Sequence, residues 1–145
     1  MYNNNTTVNL KKRAHMNEIA ELAEITKSKS VLYVEDDKDI RLNVTELLSN
    51  LFKEVSSAVD GLEGLKFYKE NSFDYLITDI KMPKMNGVAM IEEILKINPK
   101  QLVVITTAHD EEDYLDKFKS MGVTHVLQKP ITFDSLLTTL KDIVQ

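Results

Sequence analysis

The chain has 145 residues, 43% hydrophobic and 28% charged, with a net charge of −5 and no Cys. That suits one globular domain able to build its own core, and it excludes disulfides, zinc–thiolate sites and thiol chemistry. No apolar run approaches the roughly 20 residues that span a bilayer, the N-terminus lacks the apolar stretch of a secretion signal, and the acidic balance argues against direct nucleic-acid binding.

Residues 1–29 read as an N-terminal extension. Met1 to Asn9 is polar and expected to be disordered. Leu10 to Lys27 favours helix, and Ile19, Leu22, Ala23 and Ile25 give it a short apolar stripe. The stripe suits docking on the domain, pairing with a second chain, or the tail of an upstream connector. The cluster Lys11-Lys12-Arg13 reads as a solvated tail.

From Ser30 strands and helices alternate. Val31-Leu32-Tyr33-Val34 is a strand, and Ile40, Val44, Leu47, Leu48 and Leu51 recur at helical spacing. A short strand over Val55 to Val59 precedes a helix carrying Leu62, Leu65 and Tyr68. The apolar run Phe73 to Thr78 makes a strand ending at Asp79, followed by a helix with Val88, Ile91, Ile94 and Leu95 that Asn98-Pro99 stops. Leu102 to Thr106 is the fourth strand, and Tyr114, Leu115, Phe118 and Met121 line the fourth helix. Gly122 turns the chain into a strand over Val123 to Leu127, and Thr132 caps a last helix with Leu136, Leu137, Leu140 and Ile143 inward. Such βα units with mostly continuous apolar strands predict an α/β domain over residues 30–145, a five-stranded parallel sheet with helices on both faces.

The carboxyl ends of parallel strands share one edge, where open α/β sheets place their sites. Here that edge collects Glu35-Asp36-Asp37, Asp79, Thr106-Thr107 before the small Ala108, and Lys129-Pro130. Clustered carboxylates repel unless positive charge sits among them. With no His or Cys at these ends, the all-oxygen set points to a hard cation, Mg²⁺. Lys129 offers a point charge to a phosphoryl oxygen and a Thr hydroxyl a hydrogen bond. An attacking acid, a metal, a Lys and a hydroxyl together make a phosphoryl-transfer site. Scattered surface charges such as Lys117, Lys119, Asp134 and Lys141 read as solvated.

Val31 to Asp37, Asp79-Ile80-Lys81-Met82-Pro83-Lys84-Met85-Asn86-Gly87, Thr107-Ala108 and Lys129-Pro130 are unspecific singly, but in this order and spacing they are specific. Residues 30–144 resemble the receiver domain of two-component response regulators, of the chemotaxis-regulator kind. The resemblance implies a flavodoxin-like strand order 2-1-3-4-5 and a phosphorylation-controlled signalling module rather than a metabolic enzyme. Asp79 would accept a phosphoryl group from a sensor histidine kinase or phosphotransfer protein. Asp36, Asp79 and the backbone carbonyl of Lys81 would hold Mg²⁺, with Glu35 acting through water; Asp37 would not be a ligand. Thr107 would be the switch hydroxyl, with Thr106 turned the other way. Lys129 would pair with the phosphoryl group, and the Lys129–Pro130 bond would be cis.

The resemblance further implies a changed surface near the fourth and fifth helices of the domain, read by an effector or in a homodimer, and cytoplasmic action without a membrane. One departure stands out: where receivers usually carry Tyr or Phe, three residues before the Lys, this chain has Val126, beside a surface His125. Lys81, Ala108 and His109 would flank the phosphoryl position, and a bulkier residue than Ala108 should slow phosphorylation. An aspartyl-phosphate phosphatase would want a second acid where Lys81 stands. A degenerate receiver acting as a phosphorylation-independent binding module is the alternative. The chain ends just after the last helix, so it is either a stand-alone receiver or a piece of a longer regulator.

Overall fold

Three apolar runs become the central strands of a five-stranded parallel sheet, flanked by two more polar edge strands: β1 (Ser30–Val34), β2 (Glu54–Ala58), β3 (Tyr75–Asp79), β4 (Leu102–Thr107) and β5 (His125–Gln128). They lie in the order β2-β1-β3-β4-β5. The computed structural model describes residues 4–144, without the side chains of Asn4, His109 and Val144. Its helices are α1 (Asn4–Thr26), α2 (Lys38–Ser49), α3 (Gly61–Glu70), α4 (Gly87–Ile97), α5 (Asp113–Ser120) and α6 (Phe133–Val144), with a 3₁₀ turn over His109–Glu111.

Strand alternation sorts the core into two layers. Val31, Tyr33, Tyr75, Ile77 and Val104 face α1, α2 and α6, with Leu22, Val44, Leu48, Leu136, Leu137, Leu140 and Ile143 completing that layer. Leu32, Val34, Leu76, Val103 and Ile105 face α3, α4 and α5, against Leu65, Tyr68, Met90, Ile91, Ile94 and Phe118. Burial on both faces is why these strands read as near-continuous apolar runs. Leu62, expected on the inner stripe of its helix, is exposed instead, because the inward face of α3 passes through Gly61, Gly64, Leu65 and Tyr68.

Four of the helices, α2, α3, α4 and α6, start on side-chain caps. Asp37 Oδ1 accepts the Ile40 amide, Asp60 the Glu63 amide and Asn86 the Ala89 amide, each satisfying a donor that has no partner within the helix. Thr132 Oγ1 likewise accepts the Ser135 amide at 3.0 Å.

The extension departs most from expectation. α1 begins at Asn4, not Leu10, so the polar stretch up to Asn9 is helical from its fourth residue; residues 1–3 lie outside the described ones. Once a docked half has nucleated a helix, each further residue adds a hydrogen bond. Of the three options for its stripe, docking is observed: Leu22 is fully buried, with Ile19 and Ala23 packed beside it. Thr26 Oγ1 donates to Leu51 O at 2.6 Å. His15 pairs with Asp134 and Glu18 with Lys141, each at 3.3 Å, so these two solvated charges of α6 also meet α1.

Candidate functional site

Sheet register brings the site together. Val34 pairs with Thr78 and Asp79 with Thr106, while Thr107 pairs with Gln128. Glu35, Asp79, Thr107 and Lys129 therefore lie at or one residue past the ends of four neighbouring strands. The amide of Lys129 donates to Thr107 O at 2.8 Å, and the Lys129–Pro130 peptide is cis.

Asp79 is nearly buried, 5% exposed. Its Oδ1 accepts the Ile80 amide at 2.8 Å and its Oδ2 accepts from Lys129 Nζ at 2.9 Å. Glu35 Oε1 lies 3.2 Å from the same Nζ, yet receives no hydrogen bond. Carboxylate oxygens of Glu35, Asp36 and Asp79 lie within 4.8 Å of one another. Glu35 and Asp79 are buried and Asp36 exposed, so the cluster opens to solvent on one side.

The electrostatics follow. Burial first, then the hydrogen bond and charge of Asp79, push the Glu35 carboxyl from 4.5 up to about 7, with Lys129 opposing. Burial alone would lower the Lys129 ammonium, but Asp79 and then Glu35 outweigh it and hold it above its usual range. One ammonium among three acids leaves negative charge in excess. A buried carboxylate oxygen lacking a donor, in an all-oxygen set, fits a hard divalent cation.

The remaining expected residues have definite places. Thr107 is buried and its Oγ1 donates to Ala108 O at 3.0 Å. Thr106 is turned away, its Oγ1 donating to Thr78 O at 3.4 Å. Lys81 follows Asp79 on the loop before α4, its Nζ 3.9 Å from Asp110 Oδ2. The His109 side chain lies outside the described ones. Val126 is 37% exposed on β5, and Asp37 caps α2 from beside the acidic cluster.

Sequence reasoning gave no site role to four residues. Arg41 Nη1 donates to Glu35 O at 2.9 Å and to Asp36 O at 3.3 Å, clamping the acidic turn. Glu111 is buried and its Oε1 accepts the Ala108 amide at 2.9 Å. Tyr33 buries a hydroxyl with no hydrogen-bond partner, and burial, then the charges of Glu35 and Asp79, hold it far above the usual phenol range. Gly87 lets α4 approach the site: a Cβ there would sit 2.4 Å from Asp79 O. Its amide donates to Ile80 O at 2.7 Å, closing the loop over Asp79.

Comparison with known proteins identifies the family. The family model for the response regulator receiver domain matches residues 31–141. A response regulator receiver protein of Anaeromyxobacter is 34% identical over 73% of this chain, and the match spans 44% of that relative's length. A probable chemotaxis protein CheY of Rhizobium etli is 31% identical over 77% of this chain and 88% of its own. Among solved structures, the N-terminal domain of an uncharacterized protein from Wolinella succinogenes is 38% identical, with a TM-score of 0.75 over 81% of this chain and 94% of that one.

Proposed function

The chain belongs to the response regulator receiver family of two-component signalling, and from that premise we propose that Asp79 is its phosphoacceptor. The observation that carries the reading is the cluster itself: a nearly buried Asp79 held by Lys129, beside Glu35 and Asp36, at the open edge of the sheet. Residues 30–145 form the switch unit and residues 1–29 its extension. The donor is a phosphohistidine on a sensor kinase or phosphotransfer protein, the setting is the cytoplasm, and the output is read by another protein.

An Asp79 carboxylate oxygen forms the new bond to phosphorus while the bond from phosphorus to the donor's imidazole nitrogen breaks, its electron pair staying on that nitrogen. Glu35, Asp36, Asp79 and the Lys81 carbonyl would hold Mg²⁺, which supplies charge to offset the crowded oxygens. Lys129 exchanges its hydrogen bond to Asp79 for one to a phosphoryl oxygen. Thr107 gives up the Ala108 carbonyl and donates to another phosphoryl oxygen, dragging the end of β4 inward and altering the surface at α5, β5 and α6. Hydrolysis by water at phosphorus restores the Asp79 carboxylate and ends the signal.

Intact mass after incubation with acetyl phosphate and Mg²⁺ tests this. The native chain should gain one phosphoryl group, lose the gain on chelation, and show none as Asp79→Ala. Absence of any gain with small-molecule or phosphohistidine donors would shift the reading to a phosphorylation-independent binding module.

A further inference from the structure

The end of β4 is held by an acid that has no part in phosphoryl transfer. Ala108 follows Thr107, and both of its backbone polar groups are tied to Glu111. Its amide donates to Glu111 Oε1 at 2.9 Å, and its carbonyl accepts the Glu111 amide at 3.2 Å. The same carbonyl accepts from Thr107 Oγ1 at 3.0 Å. Thr107, Ala108 and Glu111 thus form one closed unit at the last residue of the strand. On the other side, the amide of Lys129 donates to Thr107 O at 2.8 Å.

For stability alone Glu111 is a poor fit to this turn. It is 4% exposed, and its Oε2 finds no hydrogen-bond donor among the described residues. A buried carboxylate oxygen without a donor is destabilising. Its neighbour Asp110 avoids that cost, with an exposed side chain 3.9 Å from Lys81 Nζ. A hydrogen bond from an amide to a carboxylate is about twice as strong as one to a neutral acceptor. Oε1 therefore grips Ala108 firmly, while the orphaned Oε2 offsets part of that grip. Such a hold keeps one arrangement of the turn and still yields to a competing interaction nearby.

We propose that Glu111 is the latch of the switch, its carboxylate holding Ala108, and through it the Thr107 hydroxyl, in the unphosphorylated arrangement. This deepens the reading of Asp79 as phosphoacceptor and rests on it. To reach a phosphoryl oxygen, Thr107 must leave the Ala108 carbonyl. Ala108 moves with it, because a planar peptide joins the two residues, and its amide is pulled off Glu111 Oε1. Glu111 touches neither the donor nor the phosphoryl group; it is a positioning residue that acts through Thr107. Its hold exists only in the unphosphorylated state, so removing it shifts the equilibrium toward the other state.

Binding of beryllofluoride with Mg²⁺ to the full chain, followed by NMR, tests this. Glu111→Ala should bind the mimic about tenfold tighter than the native chain, the worth of one hydrogen bond to a charged group. With no mimic present, the Thr107 side-chain couplings of that variant should change from those of one rotamer to an average. Glu111→Gln keeps a neutral oxygen for the Ala108 amide and should bind about threefold tighter, which carries the test if the alanine variant does not fold. Asp110→Ala removes an acid of the same turn that does not hold β4, and should bind the mimic as the native chain does. Equal gains from all three variants would assign the effect to charge and overturn the latch. Unchanged or weaker binding by the Glu111 variants, as for a merely structural residue, or unmoved Thr107 couplings would also overturn it. A native chain that ignores the mimic would overturn the phosphoacceptor reading and the latch together, whereas native binding with no gain in the variants would overturn the latch alone.

Discussion

Glu35 carries the sharpest residue-scale consequence. Its folded-state carboxyl is raised from 4.5 to about 7, so between those pH values the metal-free folded state binds more protons than the unfolded chain. Stability from this group is fullest below about 4.5 and declines as pH rises through about 7. A divalent cation needs the ionised form, so the increase in melting temperature on adding Mg²⁺ should be small near pH 5.5 and grow through about pH 7. A pH-independent increase would contradict this. Tyr33 sits on the same wall with a buried hydroxyl that no group satisfies. Tyr33→Phe should therefore leave stability unchanged or raise it by up to about 1 kcal/mol in urea denaturation; a loss of that size would reveal a partner for the hydroxyl. The acids and Lys129 were legible because charged residues at strand ends break an apolar pattern. Arg41 was not, because a cation in an amphipathic helix gives no sign of which carbonyl it will reach.

At the scale of elements, α1 and α4 make opposite points. α1 is held by its trailing half, where Leu22 is fully buried. Leu22→Ala should cost about 3 kcal/mol, measured by urea denaturation, and should free the helix from α6; a cost below about 1 kcal/mol would mean that α1 is not part of the core. α4 matters for where it starts. Gly87→Ala puts a methyl 2.4 Å from Asp79 O, so backbone must move, at about 2 kcal/mol. The shift falls on the loop over Asp79, and phosphorylation by acetyl phosphate should slow more than stability falls. Equal rates would show that the loop tolerates the displacement. The docking of α1 was not decidable from sequence: a short stripe of Ile19, Leu22 and Ala23 is equally good against the same chain or another, and only the exposed flank of α2 and α6 settles which.

For the whole molecule, the proposed switching predicts a response at the α5–β5–α6 surface. Val126 stands where the resemblance expects an aromatic ring, so no ring from that position can swing inward with the proposed movement of Thr107. With a beryllofluoride phosphoryl mimic and Mg²⁺, amide shifts should concentrate at Thr107, Ala108 and the start of α5, without the large ring-current changes of an aromatic rearrangement. Such changes at β5 would contradict the expectation.

Fold class and the central strands were determined by sequence alone, because burial on both faces demands continuous apolar runs and helices between parallel strands must be amphipathic; the edge strand β5, expected over Val123 to Leu127, runs over His125–Gln128, since an edge strand carries no such run. The residue types of the site were determined too, since charge at a strand end has no place in a core. Tertiary structure alone decided which of those groups touch. Lys129 meets both Asp79 and Glu35, Asp37 caps a helix while its neighbour Asp36 joins the cluster, and α1 closes one face of the domain. Each depends on register and helix placement, which bring together side chains as far apart in sequence as Glu35 and Lys129.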